Sequence, residues 1–139
     1  MAMFDALHTS ASALTVNRTW MDAISDNLAN MNTVRPMDQA AFQERFVVAQ
    51  SVEGDGVGAD GGIGRGARVA GVQYGSAAGR VVHDPTHPFA NAEGYVRYPD
   101  VDMGNQMVQM MLAQRGYQAN LAAIERARNS YEAALELGK

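Results

Sequence analysis

The chain has 139 residues, of which 47% are apolar and 19% charged, with a formal net charge of −4 and no cysteine. This is the composition of one ordinary globular domain, and the scattered basic residues leave no electrostatic footprint for nucleic acid. The missing cysteines exclude disulfides, thiolate metal sites and cysteine nucleophiles.

The first predicted element is a long N-terminal helix. No Gly or Pro interrupts residues 4–31, and Asn32, Thr33 and Pro36 supply the stop, so we expect about 27 helical residues and a length of some 40 Å. Apolar or small residues recur along one face with alternating spacings of four and three; they are Met3, Leu7, Ser10, Leu14, Asn17, Met21, Ile24, Leu28 and Met31.

Membrane insertion and ordinary secretion are both unexpected for this sequence. No apolar run approaches the roughly 18 residues that span a bilayer, and the first basic residue is Arg18, so the basic start of a cleavable signal is missing.

The middle of the chain has strand character. Four short runs are rich in Val, Tyr and Phe and predict a small twisted antiparallel sheet or a pair of hairpins; they are residues 42–50, 67–74, 80–84 and 94–99. Between the first two runs, residues 51–68 hold seven of the fourteen glycines, which predicts a loop that stays mobile until bound.

The glycine loop does not indicate a ligand site. It lacks the Gly-Lys-Ser/Thr ending of a P-loop, and no Gly-x-Gly-x-x-Gly opens onto a helix there. Glu53, Asp55 and Asp60 resemble part of a calcium loop, but the bidentate glutamate at its twelfth position is absent. A linker is therefore the interpretation that we adopt.

Three histidines could suggest metal or catalytic chemistry. His83 and His87 have the spacing that places two imidazoles on one helical face for zinc, but Pro85 between them disfavours a helix. We interpret both as turn residues and His8 as a surface histidine of the first helix. We expect no metal, no cofactor and no catalytic residue, because the chain has little volume for a dry pocket.

A second long helix is predicted at the C-terminal end. Asp100 or Asp102 can cap its start and Gly138 can end it. Its repeating face has the same alternation of four and three; it consists of Met103, Met107, Met110, Gln114, Tyr117, Leu121, Ile124, Arg128, Tyr131 and Leu135.

Both stripes keep a seven-residue repeat, which indicates helices that supercoil around partners. One interpretation is a plain antiparallel hairpin that forms the core of a monomer. The other, which we favour, adds neighbouring subunits, because two helices alone bury too little apolar surface to offset their ordering entropy. The fold class is then α+β, with residues 1–35 and 100–139 forming a helical part around a central β region at 36–99.

The sequence resembles a known family at both ends. "FDALHTSASALTVNRTWMDAISDNLANMNTVR" is similar to the N-terminal segment of flagellar axial rod and hook proteins, and "MVQMMLAQRGYQANLAAIERARNSYEAALELGK" is similar to their closing helix. Between them, "HDPTHPFANAEGYVRYPDVD" resembles a signature of the rod members of that family. Among departures from the family pattern are Asp26 in place of Asn and Gly116 in place of Ala; an interior helical glycine suggests close backbone approach or a bend.

The resemblance implies a structural subunit of the bacterial flagellar rod, exported without a cleaved signal and assembled in the periplasm. The implied partners are further copies of the chain, sister rod proteins of the FlgB, FlgF, FlgG and FliE types, and the flagellar type III export apparatus. The alternative functions are a soluble helical-hairpin adaptor or secretion chaperone and, from another class, a metal-dependent enzyme at His83 and His87.

Two sets of residues follow from this interpretation. The expected subunit-interface residues are Leu7, Leu14, Met21, Ile24, Leu28, Asn30, Asn32, Met107, Met110, Tyr117, Asn120, Leu121, Ile124, Tyr131 and Leu135. The expected residues of a stiff turn joining the β region to the second helix are Asp84, Pro85, His87, Pro88, Gly94, Tyr95 and Pro99, with Tyr95 and Tyr98 offering contact area.

Overall fold

The computed structural model describes residues 2–52 and 65–138. Along the chain, two β-hairpins come between two long helices. The elements are α1 (Ala2–Asn30), β1 (Arg45–Ser51), β2 (Ala67–Tyr74), β3 (Arg80–His83), β4 (Tyr95–Tyr98) and α2 (Met103–Leu137). The predicted α+β class is confirmed. The prediction of a mobile loop falls largely on residues 53–64, which lie outside the described residues.

The helix ends follow the sequence signals. Asp102 caps α2, because its carboxylate oxygens accept hydrogen bonds from the backbone N–H groups of Gly104 and Asn105 at 3.1 and 3.3 Å. At the other end of α2, Gly138 has a φ of −91°, so the helix stops there without the left-handed turn for which glycine is usually selected. Helix α1 ends at Asn30, where Thr33 N–H donates to the Asn30 carbonyl at 3.0 Å.

The two helices form an antiparallel pair. Asn27 bonds to Gln106, Trp20 bonds to Gln109, and Asn17 lies against Gly116, so residue numbers rise on α2 as they fall on α1. Since α1 has 29 residues and α2 has 35, the second helix is the longer by about two turns.

The face of α2 that α1 covers is displaced by one residue from the predicted stripe. The buried residues of α2 are Gln106 and Ala113, whereas the stripe residues Met107 and Gln114 that follow them are exposed. The seven-residue spacing is kept, but small and amide side chains occupy the contact because they let the helix axes approach closely. The large apolar residues of the stripe are left partly uncovered.

The first hairpin lies along α1. Strands β1 and β2 are antiparallel, from Arg45 opposite Tyr74 to Ser51 opposite Ala67, with a bulge between Val48 and Ala49. Near the C-terminal end of α1, the Asn27 side chain is hydrogen-bonded to the backbone of Arg45. Closer to the start of α1, Ser12 Oγ accepts a hydrogen bond from Ala67 N–H at 3.0 Å.

The first predicted strand, residues 42–50, begins three residues later than expected. Residues 43 and 44 instead bond to Gly75: Gln43 Nε2 donates to the Gly75 carbonyl and Gly75 N–H donates to the Glu44 carbonyl, both at 2.8 Å. These bonds close the base of the first hairpin.

The second hairpin pairs β3 with β4 and is joined to the chain that leaves α1. Arg80 lies opposite Tyr98 and His83 opposite Tyr95, while Arg35 exchanges two backbone hydrogen bonds with Arg97. Gly79, with a φ of +59°, precedes β3; a Cβ there would lie 2.2 Å from the Tyr98 carbonyl oxygen. Only glycine fits this turn.

The core is small. Its buried apolar residues within the described ranges are Ala23, Ile24, Ala41, Val96, Val101 and Ala113. Three of these six side chains are single methyl groups, so the apolar area buried by the chain alone is modest for its length.

Candidate assembly surface

Helix α2 carries a set of exposed large apolar residues near its start. Met103, Met107, Val108, Met111 and Leu112 are each between 44 and 53% exposed. Met103, Met107 and Met111 follow one another at spacings of four and form one row, and Val108 and Leu112 form an adjacent row. Both rows lie on the side of the helix that does not contact α1. A contiguous apolar face of this kind typically marks an interaction site, and methionine side chains adapt to varied partners.

The predicted interface residues of α1 lie mostly at the edges of the helix pair. Ile24 is buried and Asn32 is exposed. The others are half-buried; they are Leu7, Leu14, Met21, Leu28 and Asn30. Asn30 has a local role, because its Nδ2 donates to the Asp26 carbonyl at 2.9 Å and its Oδ1 accepts from Thr33 Oγ1 at 3.3 Å.

The predicted interface residues of α2 divide into two groups. Met107, Leu121, Tyr131 and Leu135 are exposed by 41 to 53%. Met110, Tyr117, Asn120 and Ile124 are half-buried on the side toward α1, where Asn120 Nδ2 donates to the Gly116 carbonyl at 2.7 Å. The exposed group is the one whose apolar area stays available to other molecules.

A buried polar cluster joins the two helices to the first hairpin, and the predicted site residues did not include it. Asn27 and Gln106 are 1 and 0% exposed. Asn27 Nδ2 donates to Gln106 Oε1 at 3.1 Å and to the Arg45 carbonyl at 3.0 Å, and Asn27 Oδ1 accepts from Arg45 N–H at 2.8 Å. The predicted stripes contain neither residue, so no signal in the sequence marked the cluster.

Glu44 completes this cluster. Gln106 Nε2 donates to Glu44 Oε1, so all three parts of the fold meet in one hydrogen-bonded group. Burial raises the pKa of the Glu44 carboxyl above its ordinary value; the hydrogen bond from Gln106 opposes the rise, and the nearby carboxylates of Asp100 and Asp102 add to it. Next to the cluster, the exposed Asp26 carboxylate forms an ion pair with Arg45. The aspartate that replaces the usual Asn of the family pattern at this position therefore has a partner.

The predicted turn between β3 and β4 is held by its own polar side chains. Asp84 Oδ1 accepts from both the backbone N–H and the hydroxyl of Thr86, at 3.3 and 2.8 Å. Asn91 Oδ1 accepts from Tyr95 N–H at 2.8 Å, and His87 Nδ1 accepts from Phe89 N–H at 3.1 Å. His87 therefore uses a ring nitrogen to shape the turn.

The remaining turn residues pack around this loop. Gly94 has a φ of +81° and lies against Pro85 and the His83 ring, and that ring meets the Tyr95 ring edge-on at 5.0 Å between centroids. Pro88 is exposed. Pro99 is buried, and its carbonyl accepts from Arg80 Nε at 3.4 Å. The stretch that carries two histidines is thus built as a rigid turn.

Neither a metal site nor a membrane-spanning helix is found in the described part of the chain. No group of three His, Asp or Glu side chains there lies close enough to hold a metal ion. Among the same residues, no helix is long and apolar enough to cross a bilayer.

Two family models match the chain. "Flagella basal body rod protein" matches residues 7–36, which is most of α1 and the segment after it, and "Flagellar basal body rod FlgEFG protein C-terminal" matches residues 92–137, which covers β4 and α2. All of α2 and most of α1 therefore fall within matched regions.

Full-length relatives agree with the family models. The chain is 36% identical to the flagellar basal-body rod protein FlgC of Bacillus subtilis, with all of both chains aligned. It is 33% identical to the protein of that name from Escherichia coli O6:H1, again over all of both chains. With the one from Borreliella burgdorferi it is 31% identical, over 99% of this chain and 98% of the relative. The chain belongs to the FlgC family of flagellar basal-body rod proteins.

Proposed function

We propose that the chain is a structural subunit of the bacterial flagellar basal-body rod, which polymerises through its two long helices. The observation that carries this proposal is the imbalance between a small core and an apolar helix face. Ala23, Ala41 and Ala113 are half of the buried apolar set, while the five large side chains on the outer face of α2 stay exposed in the described structure. Packing against neighbouring subunits would cover that face and supply the missing burial.

Torque transmission needs stiffness along the rod. The helices extend about 43 and 52 Å at 1.5 Å per residue, and hydrogen-bonded helices of that length resist bending when they are packed laterally. Contacts between different faces of identical subunits generate open helical assemblies when the rotation between subunits does not close a ring, and an open helix is the geometry that a rod requires. We therefore assign torque transmission and the lining of the export channel to the helix pair.

The central hairpins complete the proposal. Phe89, Tyr95 and Val81 are 50, 39 and 54% exposed on the second hairpin and its turn. Large side chains on a rigid support suit contacts with sister rod proteins outside the helical layer. This is the basis for proposing residues 1–35 with 100–139 as the axial part and residues 36–99 as the outer part.

The finer placement in the cell extends the same proposal. The chain would pass through the flagellar type III export apparatus without a cleaved signal and assemble in the periplasm with rod proteins of the FlgB, FlgF, FlgG and FliE types. Two family models that describe basal-body rod proteins support association with other rod components. No enzymatic step is part of this function.

Substitution on the exposed face tests the assembly. Leu121→Asp changes a side chain that is 41% exposed, so we expect the chain to stay folded while rod assembly and swimming are lost when the variant replaces the chromosomal copy in the native host. Gln39→Asp, which adds the same charge at an exposed position outside both helices, is the control that should swim normally. The readouts are motility in soft agar and the amount of chain in isolated basal bodies.

Two results would contradict the proposal. One is normal swimming of cells that lack the chain altogether. The other is a stable soluble oligomer of the chain that is absent from basal bodies, which would favour an adaptor or secretion chaperone.

A further inference from the structure

The apolar outer face of α2 continues as a regular stripe along the helix. The outer stripe of α2 consists of Val108, Leu112, Arg115, Ala119, Ala122 and Arg126, with successive spacings of four, three, four, three and four residues. Ala122 is half-buried and the other five residues are exposed. This alternation is the seam spacing of a coiled coil, on the side of α2 away from α1.

Helix α1 carries a matching stripe on its own free side. The outer stripe of α1 consists of Ala11, Thr15, Arg18, Asp22, Ser25 and Ala29, all exposed and spaced by four, three, four, three and four residues. The first hairpin lies elsewhere on the helix, where Ser12 and Asn27 bind it. This stripe is therefore open over about 27 Å, at 1.5 Å per residue.

We propose that the outer stripe of α2 packs antiparallel against the outer stripe of α1 of a second copy of this chain, with Arg115 opposite Asp22. The inference rests on the proposed assembly and adds to it the two faces, their polarity and their register. The two stripes lie on the outer sides of an antiparallel pair, so they do not meet within one chain.

Side-chain size supports this register. With Asp22 opposite Arg115, the large Leu112 lies opposite Ser25 and Val108 lies opposite Ala29. In the other direction, Arg18 lies opposite Ala119 and Thr15 opposite Ala122. Apart from the Asp22–Arg115 pair, each large residue thus faces a small one, which lets the helices approach and bury the apolar side chains.

Charge supports the same occupant. Asp22 and Arg115 are both exposed, and neither has an ion-pair partner among residues 2–52 and 65–138. A carboxylate and a guanidinium that face each other between packed helices attract, and they set the register of the contact.

Once Asp22 lies opposite Arg115, the order of the spacings fixes the polarity. From Asp22 toward higher numbers the α1 stripe advances by three and then four residues, to Ser25 and Ala29. From Arg115 toward lower numbers the α2 stripe also recedes by three and then four, to Leu112 and Val108. Toward higher numbers from Arg115 the order is reversed, so with Asp22 opposite Arg115 only antiparallel packing keeps both stripes in phase.

This contact would propagate by itself. Each copy presents one α1 stripe and one α2 stripe, and the two are different surfaces. A contact between different surfaces of identical chains is heterologous, so it leaves a free stripe at each end of an open oligomer and extends as a helix when its rotation does not close a ring.

Disulfide trapping tests the contact, since the chain has no cysteine of its own. Ser25→Cys/Leu112→Cys replaces the chromosomal copy in the native host, and isolated basal bodies are oxidised and run on a non-reducing gel. We expect a ladder at multiples of the chain mass from the double variant and monomer from each single variant. The control is Ser25→Cys/Gln118→Cys. These two positions would be adjacent only if the helices packed parallel with Asp22 opposite Arg115, so this variant should give little or no ladder.

Other gel results would overturn the inference. The inference is overturned if the Ser25→Cys/Leu112→Cys variant gives no ladder, if the Ser25→Cys/Gln118→Cys variant gives a stronger one, or if Leu112→Cys alone cross-links to another rod protein. In each case the proposed function still stands if the chain is present in the basal bodies of swimming cells. Absence of the unmodified chain from basal bodies would overturn both.

A charge exchange tests the same contact without cysteines. We expect Asp22→Arg and Arg115→Asp each to reduce the chain recovered in basal bodies several-fold, and the double variant to restore it to near the parent amount. Single variants that assemble normally, or a double variant no better than either single, would overturn the register.

Discussion

Gly116 of α2 lies directly against Asn17 of α1: a Cβ at position 116 would lie 2.7 Å from Asn17 Oδ1 and 3.2 Å from its Cγ. The glycine therefore permits a close approach of the two helices at a point where alanine would normally favour helix formation. Turning the Asn17 side chain away would break the hydrogen bond that its Nδ2 donates to the Ala13 carbonyl at 2.8 Å, at a cost of about 1 kcal/mol.

A double-mutant cycle measures this contact. Gly116→Ala alone should lower the free energy of unfolding by about 1 kcal/mol, because steric cost exceeds the gain in helix propensity. In an Asn17→Ala background the obstructing amide is gone, and Gly116→Ala should raise the free energy of unfolding by roughly 0.5 to 1 kcal/mol. Urea unfolding followed by circular dichroism gives both values, and an effect of the same sign in both backgrounds would disprove the contact.

Gly104→Ala is the matched control for that cycle. A Cβ at position 104 would meet Asp102 Oδ1 at 3.6 Å, an ordinary contact distance. This variant should unfold at the same or a slightly higher urea concentration than the parent.

Removal of the buried Asn27 amide should be costly. Asn27→Ala leaves Arg45 N–H, the Arg45 carbonyl and Gln106 Oε1 without their partner, and each buried unsatisfied group costs about 1 to 3 kcal/mol. We expect a loss of about 2 to 4 kcal/mol in the free energy of unfolding. Asn129→Ala, on the exposed part of α2, is the matched control and should stay within about 0.5 kcal/mol of the parent. Equal effects of the two substitutions would show that the cluster does not hold the hairpin to the helices.

The raised pKa of Glu44 predicts a pH dependence with an unusual sign. Burial raises the carboxyl pKa of Glu44 in the folded chain above 4.5, so the folded state binds the proton more tightly than the unfolded state does. Ionisation of Glu44 at pH values above its folded pKa therefore destabilises the fold. This cost disappears as the pH falls toward 4.5. Glu44→Gln, whose amide oxygen can still accept from Gln106, should therefore stabilise the chain more at pH 7.5 than at pH 4.5. Urea midpoints of both proteins at the two pH values check this, and a difference that does not change with pH would contradict it.

The attachment of the first hairpin to α1 predicts local exchange behaviour. Ser12→Ala removes the acceptor of Ala67 N–H, so that amide should exchange with solvent faster, and the free energy of unfolding should fall by about 1 to 2 kcal/mol. Ser130→Ala removes an exposed hydroxyl that bonds only to the Arg126 carbonyl within the described structure, and it should change neither quantity. Hydrogen exchange measured by NMR resolves the Ala67 amide, and unchanged protection there would place the hairpin's anchor elsewhere.

The helices and their ends were determined by local sequence. Runs free of Gly and Pro, the Asp102 cap and the repeated spacing of apolar residues predict α1 and α2 within a few residues, because helix formation depends on contacts three and four positions apart. The strand runs were likewise predictable from their Val and Tyr content, although β1 starts at Arg45 because residues 43 and 44 bond to Gly75, which is 31 or more positions away.

Only the tertiary structure decided which side of each helix faces inward. Periodicity alone places Met107 and Gln114 on the seam, but close helix contact requires small side chains and paired amides, so Ala113, Gly116 and Gln106 occupy it instead. Asn27 and Glu44 join that contact through partners 18 to 79 residues apart, which no local pattern encodes. The sequence by itself thus determined two amphipathic helices around a β region, and packing between distant residues decided which apolar face remains for a neighbour.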